Sequence, residues 1–465
     1  MLNQTKQTQR LAMVNGSLWD KIPQFALPVA ATAILEQLFN ASDIAVVGNF
    51  SGAASTVAVA AVGANSFIIS LVVNFFIGIA LGANVVIANA IGRQDEDAVH
   101  RAVHTAVVLA VLGGVLVTVP GELAAGAVLR LLNVPDEVFP YALLYLRIYL
   151  LGVPVILLYN FEAAIFRSVG DTKVPLQALA FSGVLNVALN LFFVIALHMT
   201  VNGVATATVL SNAVSSGLLF VRLQRSDKSI RLDCRDLRID RSSLKKILQI
   251  GFPAGIQSAV FSVSNIVIQS AINSLGMVVM AASSAAFNIE VFAYDVLNSF
   301  SQACTTFVGQ NYGAGQLGRC KRTLFLCLME DLIASAAAIA LVLFAGKYLL
   351  AIFNGDPEVI SIGYTRLLMV FSAYTFSMLY EVMSGYLRGF GISLVPALLT
   401  TIGVCGIRIG WVYFVFPQSR TFQTIMTVYP VSLSATALLI LIALLCYRPS
   451  RRFSNLQRKE ETAHE

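Results

Sequence analysis

The side chains of this 465-residue chain best suited to chemistry are a few carboxylates and amides set inside long apolar runs. Glu36 and Asp43 lie seven residues apart, about two helical turns, so one helix face presents both. Asn186 and Asn190 share a face at i,i+4, and Thr208 follows in the next apolar run. Buried amides need partners, so a cluster of these three with Asp43 is physically reasonable. In the second half Glu290 sits near the middle of an apolar run, with Asp295 five residues later and about 140° around the helix. Glu381 and Glu162 occupy further runs. An ionised carboxylate in hydrocarbon is expensive and normally faces a cavity. Desolvation disfavours its charged form, so it can take up a proton. With amide and hydroxyl oxygens it can instead hold Na⁺. Cation coupling is therefore expected at Asp43, Glu36, Asn186, Asn190, Thr208, Glu290 and Glu381. No resident metal or cofactor is indicated. A Na⁺ site at Asp43, Asn186 and Asn190 is the metal alternative, and spacing does not choose between H⁺ and Na⁺.

Around these carboxylates, Phe39, Asn40, Phe67, Gln257, Asn265, Phe287, Phe292, Tyr294, Asp295, Tyr374 and Met378 are candidates for lining a substrate cavity. Each aromatic taken singly reads as packing or lipid contact. As a group beside isolated acids, they suit bulky amphiphilic cations through stacking, charge and cation–π attraction. The expected partners are small organic cations and membrane lipids, with no nucleic acid.

The elements that must position these groups are membrane helices. Hydrophobic residues make up 57% of the chain and charged ones 12%, with a mean hydropathy of +0.77. Soluble domains carry about 25% charged residues, so this surface is too poor in charge for water. The same numbers exclude disorder, a nucleic-acid binder and a secreted disulfide scaffold. The apolar runs exceed 20 residues, too long for barrel strands. Twelve spans are expected, at 18–44, 56–77, 99–119, 141–159, 175–197 and 203–223, then 244–272, 278–303, 323–343, 364–383, 394–416 and 425–447. No cleavable signal peptide is evident. With the N-terminus inside, 25 of the 31 Lys and Arg residues fall on that side, including Lys6 and Arg10. Only Arg130, Lys347 and Arg420 fall outside. This bias places both termini in the cytoplasm. The organisation expected is a lobe over 1–223, a solvated linker over 224–243, a lobe over 244–447 and a tail over 448–465.

The halves repeat at a gapless offset of 221 residues. Phe166-Arg167-Ser168-Val169-Gly170 matches Leu387-Arg388-Gly389-Phe390-Gly391, and Leu132-Asn133 matches Phe353-Asn354. Six spans per repeat give two six-helix bundles in one orientation, related by an axis along the membrane normal, whose rocking gives alternating access. The short loops Gly92-Arg93-Gln94 and Gly313-Ala314-Gly315 are expected to end their helices, glycine permitting the left-handed or tight turn, and Pro175 and Pro396 lie at helix starts. No carbonyl filter suggests a channel. The six cysteines form no CxxC pair, and the His100–His104 pair is a poor metal motif. Walker, HExxH and GxSxG motifs are absent, so the chain is expected not to be an enzyme and to draw on an ion gradient.

The chain also resembles the multidrug and toxic compound extrusion (MATE) family of secondary transporters from about Pro23 to Tyr447. The resemblance rests on Asp43-Ile44-Ala45-Val46-Val47-Gly48, Ala90-Ile91-Gly92, and Phe166-Arg167-Ser168-Val169-Gly170-Asp171-Thr172 with Pro175. The second half adds Gly309-Gln310-Asn311-Tyr312-Gly313-Ala314-Gly315 and Gly385-Tyr386-Leu387-Arg388-Gly389 with Pro396. It implies a bacterial inner-membrane antiporter that expels drugs and other organic cations in exchange for H⁺ or Na⁺, and an outward-open V of two lobes. It also implies that Asp43 is the first-helix acid used in cation coupling, facing Asn186, Asn190 and Thr208. The pattern departs at Asn190, where the DinF-like branch has an aspartate. The NorM-like branch has acids in the seventh and tenth helices. Here the seventh has none, and the tenth-helix position falls near Ser377, one turn before Glu381. Twelve spans suffice for a monomer. Two other readings are an exporter or flippase for a dedicated metabolite or lipid-linked substrate, and a non-transporting receptor or scaffold.

Overall fold

The computed structural model describes residues 12–226, 229–450 and 452. Lys6, Arg10 and nearly all of the tail expected over 448–465 lie outside the described residues. What is described is helical, with no strand. Along the chain run α1 (Lys21–Phe50), α2 (Ser55–Gly92), α3 (Glu96–Leu131), α4 (Phe139–Ser168), α5 (Lys173–Ala196) and α6 (Val201–Gln224). They are followed by α7 (Arg241–Asn273), α8 (Met277–Gly313), α9 (Leu317–Phe353), α10 (Pro357–Ser372), α11 (Tyr374–Gly389), α12 (Leu394–Gln418) and α13 (Phe422–Tyr447). Among the described residues eleven of these are long and apolar enough to cross a membrane, and α10 with α11 makes a twelfth span bent by 46°. This is an all-α polytopic membrane fold.

Several helices outrun the apolar cores that announce them. α3 starts at Glu96 because Asp95 caps it, its carboxylate accepting the Ala98 N–H at 2.9 Å, with Glu96 and Asp97 in the first turn. It continues through Pro120 to Leu131, twelve residues past the expected end at 119. The tenth span, expected to be continuous over 364–383, is broken at Ala373. The segment from Val370 to Phe376 contains neither Pro nor Gly, so no local breaker announces the bend.

The repeat is visible in how helices end. The Asp95 N–H reaches Ala90 O at 3.1 Å and the Gln94 N–H reaches Ile91 O at 3.0 Å, a Schellman closure. The same pair of bonds recurs from Asp171 and Gly170, from Gln316 and Gly315, and from Ile392 and Gly391. The left-handed residues are Gln94, Gly170, Gly315 and Gly391, at φ of 58°, 83°, 72° and 81°. Gly92 and Gly313 are the last helical residues, and the left-handed residues, Gln94 and Gly315, are the last of the loops expected to end these helices.

Two compact units emerge. The first spans Ala31–Gly255, and the second joins Ala12–Ala30 to the chain from Ile256 onward. The division therefore falls inside α1 and α7 rather than in the expected linker over 224–243. In the first unit Gly78 and Gly82 of α2 meet Gly251 and Gly255 of α7, two small-xxx-small faces in backbone contact. A Cβ added at Gly78 would stand 2.3 Å from Gly255 N, and one at Gly82 2.3 Å from Ile247 O. In the second unit Phe25 of α1 packs edge-to-face on Phe307 of α8 at 5.8 Å, and Gln257 of α7 accepts from Arg388 Nη2 at 2.8 Å. The linker is less solvated than expected. Ile230 and Leu232 are buried in the first unit's core, and the Asp240 N–H donates to Thr105 Oγ1 at 3.0 Å. Asp233 meets His104 Nε2, which joins that ring to the linker backbone.

Candidate functional site

In the first unit α1, α5 and α6 converge on one carboxylate. The i,i+4 pair on α5 turns Asn186 and Asn190 toward α1, and Thr208 enters from α6. Asn190 Nδ2 donates to Asp43 Oδ1 at 2.5 Å, and Thr208 Oγ1 donates to Asp43 Oδ2 at 2.8 Å. Asn190 Nδ2 also reaches Asn186 Oδ1 at 3.1 Å, and Asn186 Nδ2 lies 3.5 Å from Thr208 Oγ1. The single hydroxyl proton of Thr208 has a second acceptor in Val204 O at 3.0 Å, so the bond to Asp43 can be given up without stranding a donor. Asp43 is only 5% exposed, and no ion pair among the described residues involves it. Asn190 Oδ1 is buried with no hydrogen-bond partner among the described residues.

The arrangement is thus a buried carboxylate bonded by neutral groups, with an orphaned amide oxygen beside it. The atoms to hand are oxygens of a carboxylate, two amides and a hydroxyl, a donor set that suits a proton or a hard monovalent cation and not a soft metal. Among the described residues no group of three His, Cys, Asp or Glu side chains could hold a metal.

Glu36 is half-buried, seven residues before Asp43 on α1. The tip of the Phe39 ring abuts Gly183 of α5, where an added Cβ would stand 1.7 Å from Cζ, so a larger residue there would displace the ring. Asn40 is exposed and Phe67 half-buried. Glu162 is fully buried and accepts from Ser216 Oγ at 2.9 Å.

The second unit departs more from expectation. Glu290 is not an isolated carboxylate. Arg366 Nε and Nη2 donate to its Oε1 and Oε2 at 2.7 and 2.8 Å, and Arg366 Nη1 also contacts Ser283 Oγ. The guanidinium lies over the Phe287 and Tyr429 rings at 5.6 and 5.7 Å. Glu290 is thus held in a two-pronged, charge-assisted pair and is not the lone carboxylate its sequence setting suggests. Glu381 accepts from Tyr294 Oη at 3.1 Å. Met378 and Tyr374 are core residues, with Tyr374 stacked on Phe371 at 4.5 Å. Phe292 is half-buried, Phe287 exposed, and Asp295 half-buried with Oδ2 sealed and unbonded among the described residues. Asn265 accepts from Arg408 Nη1 at 3.3 Å.

Glu330 and Asp331 are not among the expected site residues. Both are buried on α9, and none of their four carboxylate oxygens has a hydrogen-bond partner among the described residues. Two acids inside an apolar run were the available signal, and adjacency alone does not tell packed acids from solvated ones.

A family model described as MatE matches residues 28–192 and 253–414. The chain is 26% identical over 436 residues to the probable multidrug resistance protein YoeA of Bacillus subtilis, covering 91% of this chain and 93% of that one. It is 29% identical over 395 residues to the probable multidrug resistance protein NorM of Thermotoga maritima, covering 83% of each. Its fold matches a crystal structure of MATE in the bent conformation with a TM-score of 0.87 at 20% identity, covering 98% of this chain and 99% of the other.

Proposed function

Since the chain belongs to the MatE family of bacterial membrane transporters, we propose that it is a cation-coupled antiporter that exports organic cations. Secondary transport of organic compounds is the activity of such a protein. The relatives named as multidrug resistance proteins support drug-like cargo here. The proposed setting is the bacterial inner membrane, with both termini cytoplasmic and the chain acting as a monomer.

The observation that carries the coupling is Asp43 in its bonds to Asn190 and Thr208. As a carboxylate, Asp43 accepts from both. When one oxygen takes a proton it becomes a donor, and one of those two bonds must break or reverse. Thr208 has Val204 O to fall back on, so its hydroxyl can turn and accept from the protonated Asp43, and the α1–α6 bond reverses from carboxylate-accepting to acid-donating. A Na⁺ ion would act on the same atoms differently. It would draw the Asn186, Asn190 and Thr208 oxygens inward beside the carboxylate and tighten the three helices together. In either case the ion changes the packing of α1 against α5 and α6, which is the differential interaction an alternating transporter requires. Glu36 on α1 and Glu381, bonded by Tyr294, are secondary protonation sites in this reading.

The test is ethidium efflux from liposomes containing the purified chain, with pH and Na⁺ gradients imposed separately. Efflux by one gradient, lost in Asp43→Asn with the protein still folded, is the expected result and names the ion. Efflux unchanged in Asp43→Asn, or absent under both gradients in folded wild type, overturns the reading.

A further inference from the structure

The 221-residue offset carries the Asp43 cluster onto a locus of opposite charge in the second unit. It takes Thr208 to Tyr429, Asp43 to Ser264 beside Asn265, and Asn186 to Ile407 beside Arg408. These residues meet again in space. Arg408 Nη1 donates to Asn265 Oδ1 and Nε to Ser432 Oγ, both at 3.3 Å. The guanidinium carbon stands 4.5 Å from the Tyr429 ring centroid and 5.4 Å from that of Phe261. Where the first unit holds a carboxylate among neutral donors, the second holds a guanidinium among neutral acceptors.

Arg408 is 3% exposed, yet no ion pair among the described residues includes it. Arg366, the other deeply buried arginine near Tyr429, is neutralised by Glu290 through two short bonds. Both bonds made by Arg408 are long and go to uncharged oxygens. Among the described residues its Nη2 has no acceptor, and it is not among the sealed polar atoms. A buried cation without a counter-charge is strongly unfavourable, whereas a guanidinium fork with a free edge matches a two-oxygen anion. The backbone around it is unusual as well. α12 is wound as π-helix over Thr401–Gly406 and Trp411–Val415, on both sides of the turn that carries Arg408. Such turns are frequent at functional sites. Packing alone would not need the charge, because an apolar side chain between Phe261 and Tyr429 would fill the same space without desolvating it.

We propose that Arg408, with Asn265 and Tyr429, forms an oxyanion-recognition site for the carboxylate or phosphate of an organic substrate. This adds a ligand class to the transporter and does not depend on what couples at Asp43. An amphiphile carrying an acid group, with or without an amine, would dock its anionic end on the Nη2 edge and its apolar body against the aromatic faces.

The test uses the full chain in phosphatidylcholine nanodiscs and follows carboxyfluorescein binding by anisotropy. Arg408→Gln and Arg408→Lys are compared with wild type, and inorganic phosphate and phosphatidylglycerol serve as competitors. Saturable wild-type binding is expected, weakened about tenfold or more in Arg408→Gln and partly kept in Arg408→Lys, which retains charge but not the fork. Competition by phosphatidylglycerol at low mole fraction would identify the anion as a lipid headgroup, and its failure to compete would identify a free organic anion. Should Arg408→Gln not fold, Arg408→Lys and Asn265→Leu carry the comparison. Equal affinity in the folded variants, or no saturable binding of carboxyfluorescein, phosphate or phosphatidylglycerol to wild type, overturns the proposal.

Discussion

Glu290 and Arg366 are 76 residues apart in the chain and joined by two parallel bonds of 2.7 and 2.8 Å, with Arg366 2% exposed. Ser283 and the Phe287 and Tyr429 rings enclose the pair. It fastens α8 to α10 in the second unit.

Breaking this pair from one side should hurt more than removing it. Glu290→Gln or Arg366→Met alone should lower stability by about 3–5 kcal/mol, because each strands a buried charge. The double variant Glu290→Leu/Arg366→Met should recover most of that loss. Thermal melting of the four proteins in one detergent tests this, and additive losses would show that the two charges act separately.

The glycine faces of α2 and α7 should tolerate no side chain. In Gly251→Leu the first added atom would lie 2.6 Å from Ile79 Cα, so the backbone must move. A loss of about 1–3 kcal/mol or more is expected. Gly63→Ala on α2, where an added Cβ meets nothing within 4 Å, should be neutral or slightly stabilising by helix propensity. Equal melting temperatures for Gly251→Leu and wild type would contradict the packing.

Asp331 is fully buried, with both carboxylate oxygens unbonded among the described residues. Replacing an unsatisfied polar group by an apolar one of similar volume should stabilise the second unit, by about 1–3 kcal/mol for Asp331→Leu. A higher melting temperature is the expected readout. A lower one would mean that the carboxyl group makes a bond in the folded protein that Leu cannot.

Asp240 stands at the start of α7 and accepts from Ser243 N–H at 2.7 Å and Ser243 Oγ at 2.8 Å. These donors hold its carboxyl below the ordinary carboxylate range. A depressed acid contributes stability above its unfolded-state value and loses it as pH falls through the folded value. The first turn of α7 should therefore stay protected at neutral pH and fray in acid below the ordinary carboxylate range. Hydrogen exchange at Ser243, Leu244 and Lys245 across that window reads the effect. In Asp240→Ala the protection should be low at every pH.

What the sequence by itself determined was everything set by local pattern. The apolar runs marked the helices because a span must satisfy its own backbone, and the 221-residue repeat fell on four matching helix ends. The Asp43 cluster was legible too. Its α5 pair is a one-turn spacing, and an acid and two amides in hydrocarbon have few partners to choose from. Tertiary structure alone decided what depends on how one helix is rotated against another. It gave Glu290 its arginine, sent Met378 into the core, bent the tenth span at Ala373 where no Pro or Gly stands, and divided the units inside α7 at Gly255. Residue type and spacing place a side chain on a face. Which face meets which neighbour is settled by the close packing of whole helices, and in a membrane that packing turns on small residues and buried polar pairs from distant parts of the chain.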